Sequence, residues 1–163
     1  MHAEAKIMEL KISILGLLAL LTLESGNSQE TPSAKKSAPI IGKLFLDPCS
    51  TSVSGGKANL KIGALNRQAQ AYIGDYQFKV SPYFFKNEKG KLSIEVSDDT
   101  LNKLASGMSV DFTGQATTSG SGQTRRIDGK ATPAGNAQGT VKLWFFAGNK
   151  ELVFTTSYHF DEK

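Results

Sequence analysis

Apolar and polar residues alternate along most of the chain from Ile40 to Phe160. In Lys57–Leu65 the even-numbered positions are apolar, whereas lysine and asparagine occupy the first three odd-numbered positions. A period of two with one apolar face is typical of a half-buried β-strand. Similar alternation, or a short apolar run, predicts seven further strands, at Ile40–Leu46, Tyr72–Tyr83, Lys91–Val96, Met108–Thr117, Gln123–Thr132, Gln138–Ala147 and Lys150–Phe160.

Strand-breaking residues separate these segments. Asp47-Pro48 ends the first strand, because proline has no backbone N–H to donate to a sheet. Ser50–Gly56 is rich in serine and glycine, which predicts a loop. Asn87–Gly90 is predicted to be a turn on the same grounds. Further turns are predicted at Thr118–Gly122 and Pro133–Ala137.

The segment Val141–Phe146 is apolar apart from Lys142. Because both of its faces are apolar, the segment is predicted to be a central strand. Trp144 and Phe146 then share one face, and at least one of Trp144 and Phe145 should be deeply buried.

Gly148-Asn149 lies between the last two strand patterns and predicts a two-residue hairpin. Glycine and asparagine adopt the positive φ angles that such turns require. The turn places Phe145 opposite Leu152 and Leu143 opposite Phe154. A shift of one residue would turn the apolar row of the last strand to the other face.

One helix is predicted, near residues 98–106. Ser97 and the residues after it offer side chains that can cap a helix N-terminus. Leu101 and Leu104 follow at helical spacing, and Gly107 suits the position that ends a helix. Capping and the helix dipole explain Asp98 and Asp99 without a catalytic role.

Together these elements predict a mainly β fold: an antiparallel meander forming a small barrel or sandwich, with one short α-helix near 98–106. We expect the helix to plug one end of the structure or to cover one face.

The N-terminal part has the pattern of a targeting segment. Ser13–Leu23 is almost wholly apolar but too short to span a bilayer, and lysines precede it. Small residues at Gly26 and Ser28 predict cleavage after Ser28. We therefore assign residues 1–28 to a signal peptide, 29–39 to a disordered linker and 40–160 to a single β domain. An uncleaved membrane anchor and a short buried helix are the alternatives, and Met8 is an alternative start.

Composition narrows the candidate chemistry. The 163 residues carry a net charge of +4 and include one cysteine, Cys49, which excludes an intramolecular disulfide. No His-rich tract, EF-hand loop or HExxH motif indicates a metal site. Ser54–Lys57 lacks the complete phosphate-loop motif and is followed by a strand pattern. Cys49 and His159 have no supporting catalytic signature, and an intermolecular disulfide through Cys49 is the stronger candidate.

The densest cationic segment contains Arg125, Arg126 and Lys130, which are candidate anion contacts. Arg125 and Arg126 point to opposite faces of a strand, and Asp128 shares a face with Arg126 and Lys130. The alternative is an exposed ladder of charges. Nucleic-acid binding is not expected, because the aromatic residues lie on core faces rather than along a basic stripe.

The last strand resembles the terminal strand of bacterial outer-membrane barrels, with alternating apolar residues and aromatic Phe160 near its end. That resemblance implies a small membrane barrel. Thr156 and the charged residues after Phe160 depart from the pattern, and Gln123–Thr132 lacks the outward apolar band that such a barrel needs.

We expect a secreted or periplasmic, soluble β domain that is not an enzyme and carries no cofactor. Its expected role is binding or structural, with an unknown small ligand or an envelope component as partner. It would contact a membrane only through an uncleaved signal segment. The alternatives are a small outer-membrane barrel and an enzyme with an unrecognised carboxylate site. An apolar cavity with few polar groups would favour ligand binding, whereas a filled interior would favour a structural module.

Overall fold

A computed structural model describes residues 42–83, 86–135 and 137–161. The predicted signal peptide and linker, and the start of the first predicted strand, lie outside these ranges. The strands are β1 Leu44–Leu46, β2 Cys49–Val53, β3 Gly56–Ile62, β4 Asn66–Gln68, β5 Ala71–Ser81, β6 Glu88–Glu95, β7 Val110–Thr118, β8 Thr124–Pro133, β9 Gln138–Ala147 and β10 Lys150–Phe160. One helix, α1, spans Asp98–Ala105.

The ten strands form one antiparallel sheet that curls into a half-barrel, in agreement with the predicted meander. The order across the sheet is β1-β10-β9-β8-β7-β6-β5-β3-β2, and β4 pairs with β5. Its two outermost strands, β1 and β2, are joined by Asp47-Pro48 alone. Leu44 and Leu65 exchange two backbone hydrogen bonds of 2.9 Å, which tie β1 to the segment after β3. The curl therefore brings the two ends of the sheet together.

The inner face of the sheet holds the core, as the alternation predicts. Along β3, for example, Ala58, Leu60 and Ile62 are buried and the residues between them are exposed. Helix α1 fills one end of this interior. Its Leu101 and Leu104 lie with Tyr72 and Phe160 around a space of only about 40 Å³.

Both ends of α1 have the capping residues that the sequence predicts. The Ser97 hydroxyl accepts a hydrogen bond from the Thr100 backbone N–H at 3.1 Å, which confirms Ser97 as the N-cap. Gly107 has a φ of 82°, the left-handed conformation expected after a helix.

The predicted C-terminal hairpin is confirmed in both turn and register. Ala147 pairs with Lys150, Phe145 with Leu152, and Leu143 with Phe154. Strand β9 lies between β8 and β10, as the central-strand prediction requires. Phe145 is 3 % exposed, whereas Trp144 and Phe146 face outward together.

Two predictions from composition were wrong. Residues 49–53, most of which were assigned to a loop, form β2, and the turn to β3 consists of Ser54-Gly55 alone. The turn predicted at Asn87–Gly90 is already strand from Glu88 onward, and Gly90 pairs with Tyr76 and Thr118. A side chain at position 90 would overlap the Thr117 carbonyl. The glycine therefore allows β6 and β7 to pack closely and does not form a turn. The short β4 was not predicted, because its residues are polar and lack alternation.

Candidate ligand-binding site

The half-barrel is open at the end away from α1. Strand β5 runs from Tyr72, beside the helix, to Val80 in a cavity of about 750 Å³ at this open end. We call this space the mouth cavity. Its lining comes from several strands and the turns between them, and includes Val53, Phe78, Val80, Glu88, Thr118, Arg125, Phe145 and Leu152.

The inner wall of the mouth cavity is apolar. Phe78 and Phe145 each contact the wholly buried Phe154 edge-on, with ring centroids 5.9 and 5.8 Å apart and interplanar angles of 83°. Such edge-to-face packing fixes the orientation of both rings. Leu152 lies beside Phe145 as its cross-strand partner. The wall is therefore a fixed apolar surface.

An ion pair stands in the same cavity. Arg125 reaches from β8 across β7 to Glu88 at the start of β6, donating from Nε to Oε1 at 3.0 Å and from Nη2 to Oε2 at 2.8 Å. Only 20 % of the Arg125 side chain and 14 % of the Glu88 side chain are exposed. The hydrogen bonds to Glu88 raise the pKa of Arg125, so the guanidinium stays charged.

The Tyr76 hydroxyl extends this cluster. It donates to Glu88 Oε1 at 3.2 Å and lies 3.3 Å from the hydroxyl of Thr118. Burial raises the pKa of Tyr76, so the phenol remains a protonated hydrogen-bond donor. Arg125, Glu88 and Tyr76 thus form a polar cluster beside an apolar wall.

This arrangement suits binding. The ion pair is neutral overall, and Arg125 donates to Glu88 through Nε and Nη2. Within the part of the chain that the structure describes, Nη1 donates to no protein acceptor. It can therefore donate to a carbonyl or hydroxyl oxygen of a bound molecule.

The three cationic residues predicted as anion contacts do not come together. Arg125 lines the mouth cavity, whereas Arg126 and Lys130 lie on the outer face, as the predicted opposite orientation of Arg125 and Arg126 requires. Arg126 donates to both oxygens of Asp128, at 2.9 and 2.7 Å, and lies over the Phe146 ring. Lys130 is exposed between Asp111 and Lys142.

Cys49 and His159 lie on opposite faces of the sheet and form no nucleophile–base pair. Cys49 packs against the core, and burial raises the pKa of its thiol to about 11. His159 is exposed and stacks on Phe45, with ring centroids 5.0 Å apart.

Both acidic residues of α1 form ion pairs with nearby cationic side chains. Asp98 accepts from Arg67 at 2.9 Å, and Asp99 pairs with Lys103 one turn later at 2.6 Å. Among the described residues, no cluster of three or more His, Cys, Asp or Glu could hold a metal ion. No helix in residues 42–83, 86–135 and 137–161 is long and apolar enough to cross a membrane.

Glu88 and Tyr76 were not singled out from the sequence. The available signal was that Glu88 occupies the same strand face as Leu92 and Ile94, where a carboxylate needs a partner. That partner, Arg125, lies 37 positions away and two strands across the sheet.

Comparison of the chain with protein-family models, curated proteins and solved structures finds no match.

Proposed function

We propose that this domain binds a small apolar or amphipathic molecule in the mouth cavity. The observation that carries the proposal is the combination of about 750 Å³ of open space, an apolar wall and one polar cluster. Small-molecule sites typically have this size and this mixture of apolar surface with a few placed polar groups. The interior is filled under α1, which leaves the opposite end for the ligand.

The polar cluster indicates which ligands fit. Glu88 already balances the charge of Arg125, so an added carboxylate would meet Glu88 and an added ammonium would meet Arg125. An uncharged acceptor, such as a carbonyl or hydroxyl, meets neither penalty. We therefore propose a ligand with an apolar body and an uncharged polar group.

The outward-facing residues support this proposal over the membrane-barrel alternative. Strands β3, β5 and β6 present exposed charged residues on their outer side, including Lys57, Lys61, Lys79 and Lys91. A lipid-facing strand carries apolar residues at those positions.

Export to the periplasm or the outside of the cell is part of the proposal and rests on the apolar segment before Ser28. The exported form should begin near Gln29. The intact mass of the protein recovered from the exported fraction tests this. Recovery of the chain from Met1 in that fraction would contradict cleavage.

Ligand binding is tested with Nile red, an uncharged dye that fluoresces in apolar sites. We expect saturable binding to the native protein. Leu152→Trp fills the mouth cavity and should weaken binding by about tenfold or more, because the dye loses its contact with the wall. Thr155→Trp places the same side chain on the outer face of β10 and is the matched control.

Both variants are first checked for native circular dichroism. Equal affinity of the two variants, or no saturable binding to the native protein, would overturn the proposal.

A further inference from the structure

A second depression, the outer groove, crosses the outside of the sheet. It has a volume of about 800 Å³ and runs from the turn at Gln68–Gln70 to Trp144. The groove follows a row of direct cross-strand neighbours, one on each of β6, β7, β8 and β9: Glu95, Thr113, Asp128 and Trp144. The turn adjoins β6 through the pairing of Ala71 with Glu95. Four inter-strand spacings of about 4.8 Å give the groove a length of roughly 19 Å.

Trp144 has no role in the core. Its neighbours Leu143 and Phe145 are buried on the inner face, whereas the indole is half-buried on the outer face. The Lys142 Nζ atom lies 5.1 Å from the centroid of the Trp144 ring. An indole in a polar groove offers one flat apolar surface with an N–H donor at its edge.

The polar side chains of the outer groove are already held in place. Asp128 accepts two hydrogen bonds from Arg126, and Glu95 accepts one from the Thr113 hydroxyl at 3.3 Å. Gln68 and Gln70 add amide groups at the far end. Groups fixed before a ligand arrives lose little conformational freedom on binding.

The charges at the outer groove are balanced. The groove is lined by three carboxylates and one guanidinium, and two lysines adjoin these residues: Glu95, Asp111, Asp128 and Arg126, with Lys130 and Lys142 beside them. A surface of balanced charge lacks the basic stripe that nucleic acids and acidic polymers require. A protein partner would need a larger apolar centre than one indole provides. A neutral sugar chain has an apolar C–H face for the indole and hydroxyl groups for the carboxylates and amides along the groove.

We propose that the outer groove binds a neutral saccharide chain of several sugar units, independently of the mouth cavity. Trp144 stacks on one sugar ring, and Asp128 and Glu95 accept hydrogen bonds from hydroxyl groups.

Trp144 is the only tryptophan in the chain, so its fluorescence reports directly on the groove. The native protein is titrated with tetrasaccharides of β-1,4-linked glucose and of β-1,4-linked N-acetylglucosamine. We expect at least one of them to shift the emission to shorter wavelength and to protect the indole from acrylamide quenching, because stacking removes it from water. If neither sugar changes emission or quenching, the proposal is overturned.

Calorimetry then measures the saccharide affinity of variants and identifies the residue that contacts the sugar. Trp144→Ala should weaken saccharide binding by about tenfold or more, as loss of a packed aromatic contact predicts. Phe45→Ala removes an aromatic on the outer face of β1, which stacks on His159 and does not line the groove, and should leave the affinity unchanged. Leu152→Trp in the mouth cavity should also have no effect on saccharide binding.

Two further results would overturn the proposal. One is equal loss of affinity in Trp144→Ala and Phe45→Ala. The other is salt-sensitive binding of polylysine together with no saccharide binding, which would assign the groove to a basic protein.

Discussion

The Phe112 ring covers Gly129 on the adjacent strand, so that a side chain at position 129 would overlap the ring. The two residues are direct cross-strand partners in β7 and β8. A glycine in a strand interior weakens the strand because it has no side chain to pack. An aromatic ring packed over the glycine compensates for the missing side chain. Phe112 also stands between the apolar space under α1 and the outer groove, because it lines both.

Gly129→Ala should lower the free energy of unfolding by about 1–3 kcal/mol, the usual penalty for overpacking. Urea denaturation measures this. Gly135→Ala is the control, since its nearest neighbour, Gln138 Cγ, is at an ordinary 3.7 Å, and it should change stability by less than about 0.5 kcal/mol. The alanine penalty should shrink in a Phe112→Ala background. An equal penalty in both backgrounds would show that the ring is not its cause.

Phe145→Ala should lower the free energy of unfolding by about 3–5 kcal/mol, because the buried ring packs edge-on against Phe154. Phe146→Ala removes the same side chain from the outer face of β9 and should have an effect of about 1 kcal/mol. Chemical denaturation of both variants provides the comparison. Similar losses would contradict the inward placement of Phe145.

The Arg125–Glu88 pair should show an energetic coupling of about 1–3 kcal/mol in a double-mutant cycle of the alanine variants. Each single alanine leaves a largely shielded charge without its partner. The exposed pair Lys91–Asp75 is the matched control, with an expected coupling of about 0–1 kcal/mol. A coupling no larger than that of the control would mean that solvent screens the mouth cavity.

The protein should lose stability as the pH rises from about 10 to about 12. Burial raises the pKa of Tyr158 from 10.0 to about 12 in the folded chain. The unfolded chain therefore releases this proton first, and ionisation favours unfolding across that interval. Burial also raises the pKa values of Tyr72 and Tyr76.

Tyr158→Phe should reduce the alkaline loss of stability, which is measured as the urea midpoint against pH. Tyr83→Phe, which removes a phenol hydroxyl at the rim of the mouth cavity, is the comparison variant. An unchanged slope in Tyr158→Phe would contradict the raised pKa.

Cys49 should react slowly with iodoacetamide in the folded protein. Burial raises its pKa from 9.0 to about 11, which lowers the reactive thiolate fraction at neutral pH by about 100-fold. The alkylation rate should rise with pH toward 11 and should increase when urea unfolds the chain. Mass spectrometry follows the reaction. Equal rates in the folded and unfolded chains at pH 8 would contradict this, and would make the predicted intermolecular disulfide easier to form.

Local patterns predicted the strands and their faces well because each depends on neighbouring residues. Alternation put Trp144 and Phe146 on one face but left open which of Trp144 and Phe145 is buried, and Gly148-Asn149 set the register of Phe145 with Leu152. Composition failed at Cys49–Val53, because serine and threonine dominate this segment although it pairs with β3 and packs Cys49 and Val53 against the core.

The candidate site could not be predicted in the same way. Glu88, Tyr76 and Arg125 meet because the sheet curls, and no local pattern specifies that curl. The outer groove likewise depends on the register of four strands, which brings Glu95 and Trp144 into one row.

The pairing of β1 with β10 has a consequence for the order of folding. Leu44 pairs with Phe160, and the Thr156 hydroxyl donates to the Asp47 carbonyl 109 positions earlier in the chain. Contacts of such long sequence separation form late and slow the folding of β proteins. Of the ten strands β1 is made first, and apart from the bridge between Leu44 and Leu65 it must wait for β10 before it has a paired strand. The half-barrel is therefore completed only after β10 has been made.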